Sequence, residues 1–139
     1  MNDLSFVMRV VDTLEDARLR VWVFGGWAEE LRGLRAPVEH EDVDLLYPAR
    51  DLGRVDAFLR SRRLAATVEL PHKRSFELEG VPVEILLVQK DERGWFSDLP
   101  AGPHRWPADV FATAGSLPVA SAEALEGYRR RRRRQARAA

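Results

Sequence analysis

The chain has 139 residues, 45% of them hydrophobic and 32% charged, with 22 basic residues balancing 22 acidic ones. That is enough for one domain with a proper core and too little for two ordinary ones. Cysteine is absent, which excludes disulfides, thiolate metal sites and a cysteine nucleophile. No apolar run approaches the 18 or so residues of a membrane span, and no basic-then-apolar leader opens the chain, so a cytoplasmic location is expected.

Asn2 or Asp3 is placed to cap a first helix whose apolar positions, Leu4, Val7, Met8, Val11 and Leu14, recur at helical spacing. Val21 to Phe24 reads as a short buried strand, Gly25-Gly26 as a turn, and Trp27 to Arg32 as a short helix stopped near Gly33. Leu34 to Glu41 reads as a loop. A strand follows from Asp42 to Tyr47, ended by Pro48, and then a helix from Asp51 to Arg62. Ala66 to Leu70, Arg74 to Leu78 and Val81 to Val88 are strand candidates, the last two joined by a hairpin turn at Glu79-Gly80. Asp91 to Gly115, rich in proline, glycine and tryptophan, reads mostly as loop with a short element around Asp109 to Ala112. A short strand at Leu117 to Ala120 precedes a helix capped by Ser121 that enters the arginines and is expected to fray.

The chemistry is concentrated around residues 25–45. Asp42 and Asp44 lie one residue apart on an otherwise apolar strand, so both project from one face, roughly 6–7 Å apart along the chain. Such a pair is costly unless something positive sits between the carboxylates, and Mg²⁺, which takes one or two carboxylates plus water and substrate phosphates, is the natural candidate. The Gly25-Gly26 turn would then hold phosphates. Glu84 is the single acid in the apolar run Val81 to Val88 and would be buried unless it faces a site. If its strand lies beside that of Asp42 and Asp44, three carboxylates converge, as a two-metal centre requires. His40 is close enough to orient an aspartate or touch a phosphate, or can be an ordinary loop histidine. Lys73 or Arg74 can reach a triphosphate, or can be a solvated cationic strand end. Trp95 and Trp106, with His104 and Arg105, can stack on a base or cap a small core. Glu29 and Glu30 are expected to be solvated.

These residues resemble the DNA polymerase β-type nucleotidyltransferase superfamily, and among its members the small bacterial aminoglycoside and lincosamide nucleotidyltransferases. The likeness rests on the Gly-Gly-Trp turn, the short helix, a histidine two residues before an Asp-hydrophobic-Asp triplet, and a later acid on a strand. It covers roughly residues 18–128. It implies an α/β (α+β) fold, a mixed sheet with helices mainly on one face, and a core domain at 1–128 followed by an arginine-rich tail at 129–139. It further implies transfer of a nucleoside monophosphate from an NTP, ATP being expected, to a hydroxyl of a small acceptor, aminoglycoside-like or other, with release of pyrophosphate. Asp42, Asp44 and Glu84 would hold two Mg²⁺ ions, with Glu84 as ligand or general base, and Gly25 and Gly26 would cradle the triphosphate. Glu84 stands where aspartate is common, and no helical acceptor domain follows, so a homodimer or partner protein would complete the acceptor pocket, or the acceptor differs.

Arg129 to Arg134 and Arg137 put seven positive charges in the last eleven residues. Without them the body carries 15 basic and 22 acidic residues, a net charge of −7 that offers nucleic acid no broad binding face and favours cationic small acceptors. The tail favours a second reading, nucleotidylation of a tRNA or a protein as in toxin–antitoxin systems, with RNA held by the arginines; a third reading is a non-catalytic nucleotide-sensing or interaction module.

Overall fold

The computed structural model describes residues 1–138. Four helices, α1 (Leu4–Asp16), α2 (Gly25–Leu31), α3 (Gly53–Ser61) and α4 (Ala122–Ala138), alternate with nine strands. The strands are β1 (Trp22–Phe24), β2 (Val43–Pro48), β3 (Val68–Leu70), β4 (Lys73–Leu78), β5 (Val81–Asp91), β6 (Gly94–Leu99), β7 (Gly102–Arg105), β8 (Phe111–Ala114) and β9 (Leu117–Ala120). The main sheet runs β3-β4-β5-β2-β1-β9-β8, and β6 and β7 extend the far end of β5 as a separate ribbon. β2 pairs in parallel with β5 and β1 with β9, while the other pairings are antiparallel, so the sheet is mixed as expected.

The centre of this sheet sets up the two faces. β2 and β5 are in register, Val43 opposite Val83, Asp44 opposite Glu84 and Leu45 opposite Ile85. Val43, Leu45, Val83 and Ile85 are fully buried and share one face with Phe76 of β4, which packs against Phe58 of α3. Period-two alternation sends Asp44 and Glu84 to the other face. The apolar stripe of α1, Phe6, Val7, Val10, Val11 and Leu14, joins the same buried cluster. Asp3 is the cap of α1, its carboxylate accepting the Phe6 N–H at 2.9 Å. The Asn2 amide donates to the carbonyls of His40 and Asp42, both at 3.0 Å, and accepts from the Trp27 indole, which fastens the segment entering β2.

Four expectations are corrected. The Gly25-Gly26 pair is the first turn of α2, not a turn before it. The stretch from Asp91 to Gly115 holds β6, β7 and β8 rather than mostly loop, and Pro103 is tolerated in β7 because that strand pairs only with β6 and lies at an edge. Trp106 is a core residue here, with its indole donating to Ser97 Oγ at 2.9 Å. The arginine run, expected to fray, continues α4 to Ala138. Like charges at i,i+4 cost a few tenths of a kcal/mol per pair, and two anchors oppose that cost. Arg129 pairs with Glu29 of α2, which is therefore not a solvated side chain, and Arg131 donates to the carbonyls of Gly102 and Pro103 at 2.6 and 3.1 Å. The root of α4 is held by Tyr128, stacked on Trp106 and edge-on to Phe24.

Candidate active site

Asp42 enters β2, Asp44 lies within it, and Glu84 is the parallel neighbour of Asp44 on β5. One oxygen from each carboxylate lies within 4.8 Å of the other two. Asp42, Asp44 and Glu84 are all partly buried. Lys73 Nζ holds Glu84 Oε1 at 2.7 Å, and the Ser75 hydroxyl donates to the same oxygen at 3.4 Å.

The electrostatics are those of a cluster with one negative charge too many. Burial pushes the Asp44 carboxyl up to about 8, reinforced by its hydrogen bond to Glu84 and the charges of Asp42 and Glu84, with Lys73 opposing. The same Asp44 bond is the main reason Glu84 is lowered, with Lys73 and Ser75 adding to it against the cost of burial. Asp42 is raised by burial first and by Glu84 and Glu41 next. Of the pair, Asp44 is therefore the carboxyl that favours the proton and Glu84 the one that favours the charge. Three hard oxygen donors, with no sulfur or imidazole among them, suit Mg²⁺, and a divalent cation would replace the proton that now relieves their repulsion. The residues therefore fit the ion they were expected to hold.

The carboxylates form part of the wall of a cavity of about 900 Å³. Gly25, Gly26 and Lys73 line it beside them. Gly25 has φ +63°, and a Cβ there would stand 2.3 Å from Asp44 Oδ2, so the backbone approaches the carboxylate as only glycine permits. A Cβ on Gly26 would meet His40 Nδ1 at 3.0 Å. His40 itself does not line the cavity. Its ring lies 4.3 Å from that of Trp27, and its Nε2 bonds Glu30 Oε1 at 3.0 Å, so it supports the glycine turn from behind.

Arg74, grouped with Lys73 as a triphosphate ligand, lies on the opposite face of β4. It forms a two-pronged pair with Asp56 of α3 at 2.7 and 3.2 Å, because adjacent strand residues point to opposite sides. Arg74→Ala is expected to lower stability by about 1–2 kcal/mol in thermal or urea unfolding and to leave nucleotide affinity unchanged. His104 and Arg105 are also committed elsewhere. Burial, with Arg131 and Arg134 adding to it, lowers His104 to about 4, leaving a neutral ring between Trp106 and Tyr128, and Arg105 pairs with Asp91 at 2.6 Å. Arg35 and Tyr128, not singled out from the sequence, also line the cavity, and so do Arg129, Arg132 and Arg133 of the arginine run, which the sequence offered only as an RNA- or partner-binding tail.

A family model described as aminoglycoside-2''-adenylyltransferase matches residues 6–129, nearly the whole of this architecture. The chain belongs to that family. Within it, the chain is 26% identical over 71 residues to a 2''-aminoglycoside nucleotidyltransferase of Klebsiella pneumoniae, a match that takes in 51% of this chain and 40% of that protein. It is 27% identical over 58 residues to one of Escherichia coli, covering 42% of this chain and 33% of that one. The chain thus matches less than half the length of either relative. Among solved structures, the fold is similar to that of the lincosamide antibiotic adenylyltransferase LnuA bound to lincomycin, with a TM-score of 0.71 at 20% identity over 89% of this chain and 84% of that one. It is also similar to ANT(2'')-Ia in complex with adenylyl-2''-tobramycin, with a TM-score of 0.63 at 19% identity over 87% and 70% of the two chains. Among the described residues no helix is long and apolar enough to cross a membrane.

Proposed function

We propose that the protein transfers a nucleoside monophosphate from an NTP, with ATP the expected donor, to a hydroxyl of a small antibiotic-like acceptor and releases pyrophosphate. The observation that carries this reading is the meeting of Asp42, Asp44 and Glu84 beside Gly25 and Gly26 on the wall of one large cavity. Mg²⁺ bound there would neutralise phosphate charge and polarise the α-phosphate. Asp42 and Asp44 serve as its ligands. The backbone N–H groups at Gly25 and Gly26, which line the same cavity, would hold phosphate oxygens, and Lys73 adds a cation from β4. Glu84, favoured in its ionised form first by the Asp44 hydrogen bond and then by Lys73, is either the third ligand or the group that takes the acceptor hydroxyl proton. These groups do little covalent chemistry; they position and neutralise. All of them lie within residues 1–128, the proposed catalytic core. The relatives' names and the net negative body support an aminoglycoside or lincosamide class of acceptor.

The test is incubation with ATP, Mg²⁺ and either tobramycin or lincomycin, followed by mass spectrometry and a pyrophosphate assay. An antibiotic heavier by one AMP, with pyrophosphate in equal amount and neither formed in EDTA, is the expected result. ATP binding without any adduct across an aminoglycoside and lincosamide panel would remove the antibiotic acceptor. Absence of metal-dependent ATP binding would remove the enzyme.

A second outcome concerns pH. Because a cation must displace the Asp44 proton, Mg²⁺ affinity is expected to rise between pH 6 and pH 8, by up to tenfold per pH unit, and to level off above about 8. Calorimetry in buffers of different ionisation enthalpy should record about one proton released per site at pH 7.

A further inference from the structure

We infer that the exposed arginines Arg132 and Arg133 of α4 bind the β- and γ-phosphates of the nucleotide, making the arginine helix the second wall of the triphosphate site. This rests on the nucleotidyltransferase reading and adds to it residues outside the 1–128 core.

The argument starts from which positions of α4 reach the cavity: Leu125, Tyr128, Arg129, Arg132, Arg133 and Ala136 recur at i, i+3, i+4, i+7, i+8 and i+11, with Gln135 at their margin. That is one continuous helix face, apolar at its root and cationic along its length. Arg130, Arg134 and Arg137 fall on the opposite side and do not line the cavity. The face is also held in place. Arg129 is tied to Glu29 of α2 and Arg131 to the carbonyls of Gly102 and Pro103, so the helix is docked on both flanks. Arg132 and Arg133 are exposed, and among the described residues neither forms a hydrogen bond or an ion pair.

What these two cations can face follows from charge. Of the four acids lining the cavity, Glu29 is paired with Arg129, and Asp42, Asp44 and Glu84 form the cation site. No free carboxylate on the cavity wall is left for Arg132 and Arg133, and Arg35 and Lys73 add further positive charge. A polyanion is the complementary occupant. A triphosphate with its α-phosphate at the carboxylates must extend its β- and γ-phosphates away from them, and guanidinium groups are the side chains suited to fork onto such oxygens.

The experiment is titration of the full chain with ATP, tripolyphosphate and AMP in Mg²⁺, comparing wild type with Arg132→Ala/Arg133→Ala. The control is Arg130→Ala/Arg137→Ala, which removes the same charge from the other side of the helix. The cavity-facing pair is expected to weaken ATP and tripolyphosphate about tenfold or more and AMP much less, to flatten the salt dependence of ATP binding, and to leave the melting temperature unchanged. Unchanged tripolyphosphate affinity in that variant overturns the proposal, and so does an equal loss in the control pair, which would reduce the effect to net charge. An RNA oligonucleotide whose binding needs Arg132 and Arg133 while tripolyphosphate binding does not would overturn it in favour of RNA. Asp42→Asn/Asp44→Asn separates the two levels. If wild type binds Mg²⁺-ATP, the aspartate variant does not and the arginine variant binds normally, the enzyme reading stands and the arginine wall falls. If wild type itself does not bind, both fall.

Discussion

Asp44→Asn should abolish Mg²⁺-dependent nucleotide binding and cut nucleotidyl transfer by roughly a thousandfold or more, the several kcal/mol that a bound cation contributes to charge neutralisation. The same substitution should make the metal-free protein more stable at pH 8. The sign follows from linkage. Asp44 has a folded-state value of about 8, well above that of an ordinary aspartate. Between about pH 4 and 8 the folded chain therefore holds a proton that the unfolded chain releases, and stability falls as pH rises through that window. The asparagine variant has no proton to lose and can still donate to Glu84, so its melting temperature should stay flat where that of wild type declines. Adding Mg²⁺ should reverse the order, since saturation at a hundred times Kd stabilises wild type by about 2.7 kcal/mol and leaves the variant unmoved. Melting curves at pH 5.5 and 8, with and without Mg²⁺, read all four states. Equal melting temperatures for the two metal-free proteins at pH 8 would show that Asp44 is not the strained member of the cluster.

Gly25→Ala is expected to disable the site by another route. The positive φ costs an alanine about 1–2 kcal/mol. The larger effect is the 2.3 Å approach of the new Cβ to Asp44 Oδ2, which a short, half-buried side chain on a central strand cannot relieve without moving. Together these should destabilise the fold by about 2–4 kcal/mol and displace Asp44, so that Mg²⁺ no longer raises the melting temperature. Gly33→Ala is the control. Gly33 has φ +71° with no atom within 4 Å of the added carbon. It should therefore incur the backbone cost alone and keep its response to Mg²⁺. Equal behaviour of the two variants would mean that the approach of Gly25 to Asp44 is not constraining.

Much of the carboxylate centre could be read from the chain because it depends on parity. Asp42 and Asp44 share a face on any strand, and Glu84 stands out as the one acid in an apolar run. The position of Arg74 was readable by the same rule. A two-residue turn at Glu79-Gly80 pairs Leu78 with Val81 and hence Ser75 with Glu84, which sends Lys73 to the side of Glu84 and Arg74 away from it. The β6–β7 ribbon was hidden because its strands are short and carry glycine and proline, so neither alternation nor β-branched runs mark them. The cavity-facing side of α4 was hidden for a different reason. Helical periodicity shows as contrast between unlike residues, and six consecutive arginines have none; only the anchors at Glu29 and the Gly102 and Pro103 carbonyls give the helix a direction.

The parallel pairing of Val23 with Val119 has a consequence for how the chain is made. Strand β1 leaves the ribosome well before its β9 neighbour, which follows almost a hundred residues later. At about 5–20 residues per second, the side of β1 away from β2 waits several seconds or more for a partner. The carboxylates can meet during that interval, since β2 and β5 are both complete by Asp91. The arginine helix cannot join them then, because it follows β9 in the chain. Synthesis therefore builds the cation-binding wall of the cavity first and the cationic wall last, and a nascent chain stalled before Ala120 would carry an open sheet edge for chaperones to shield.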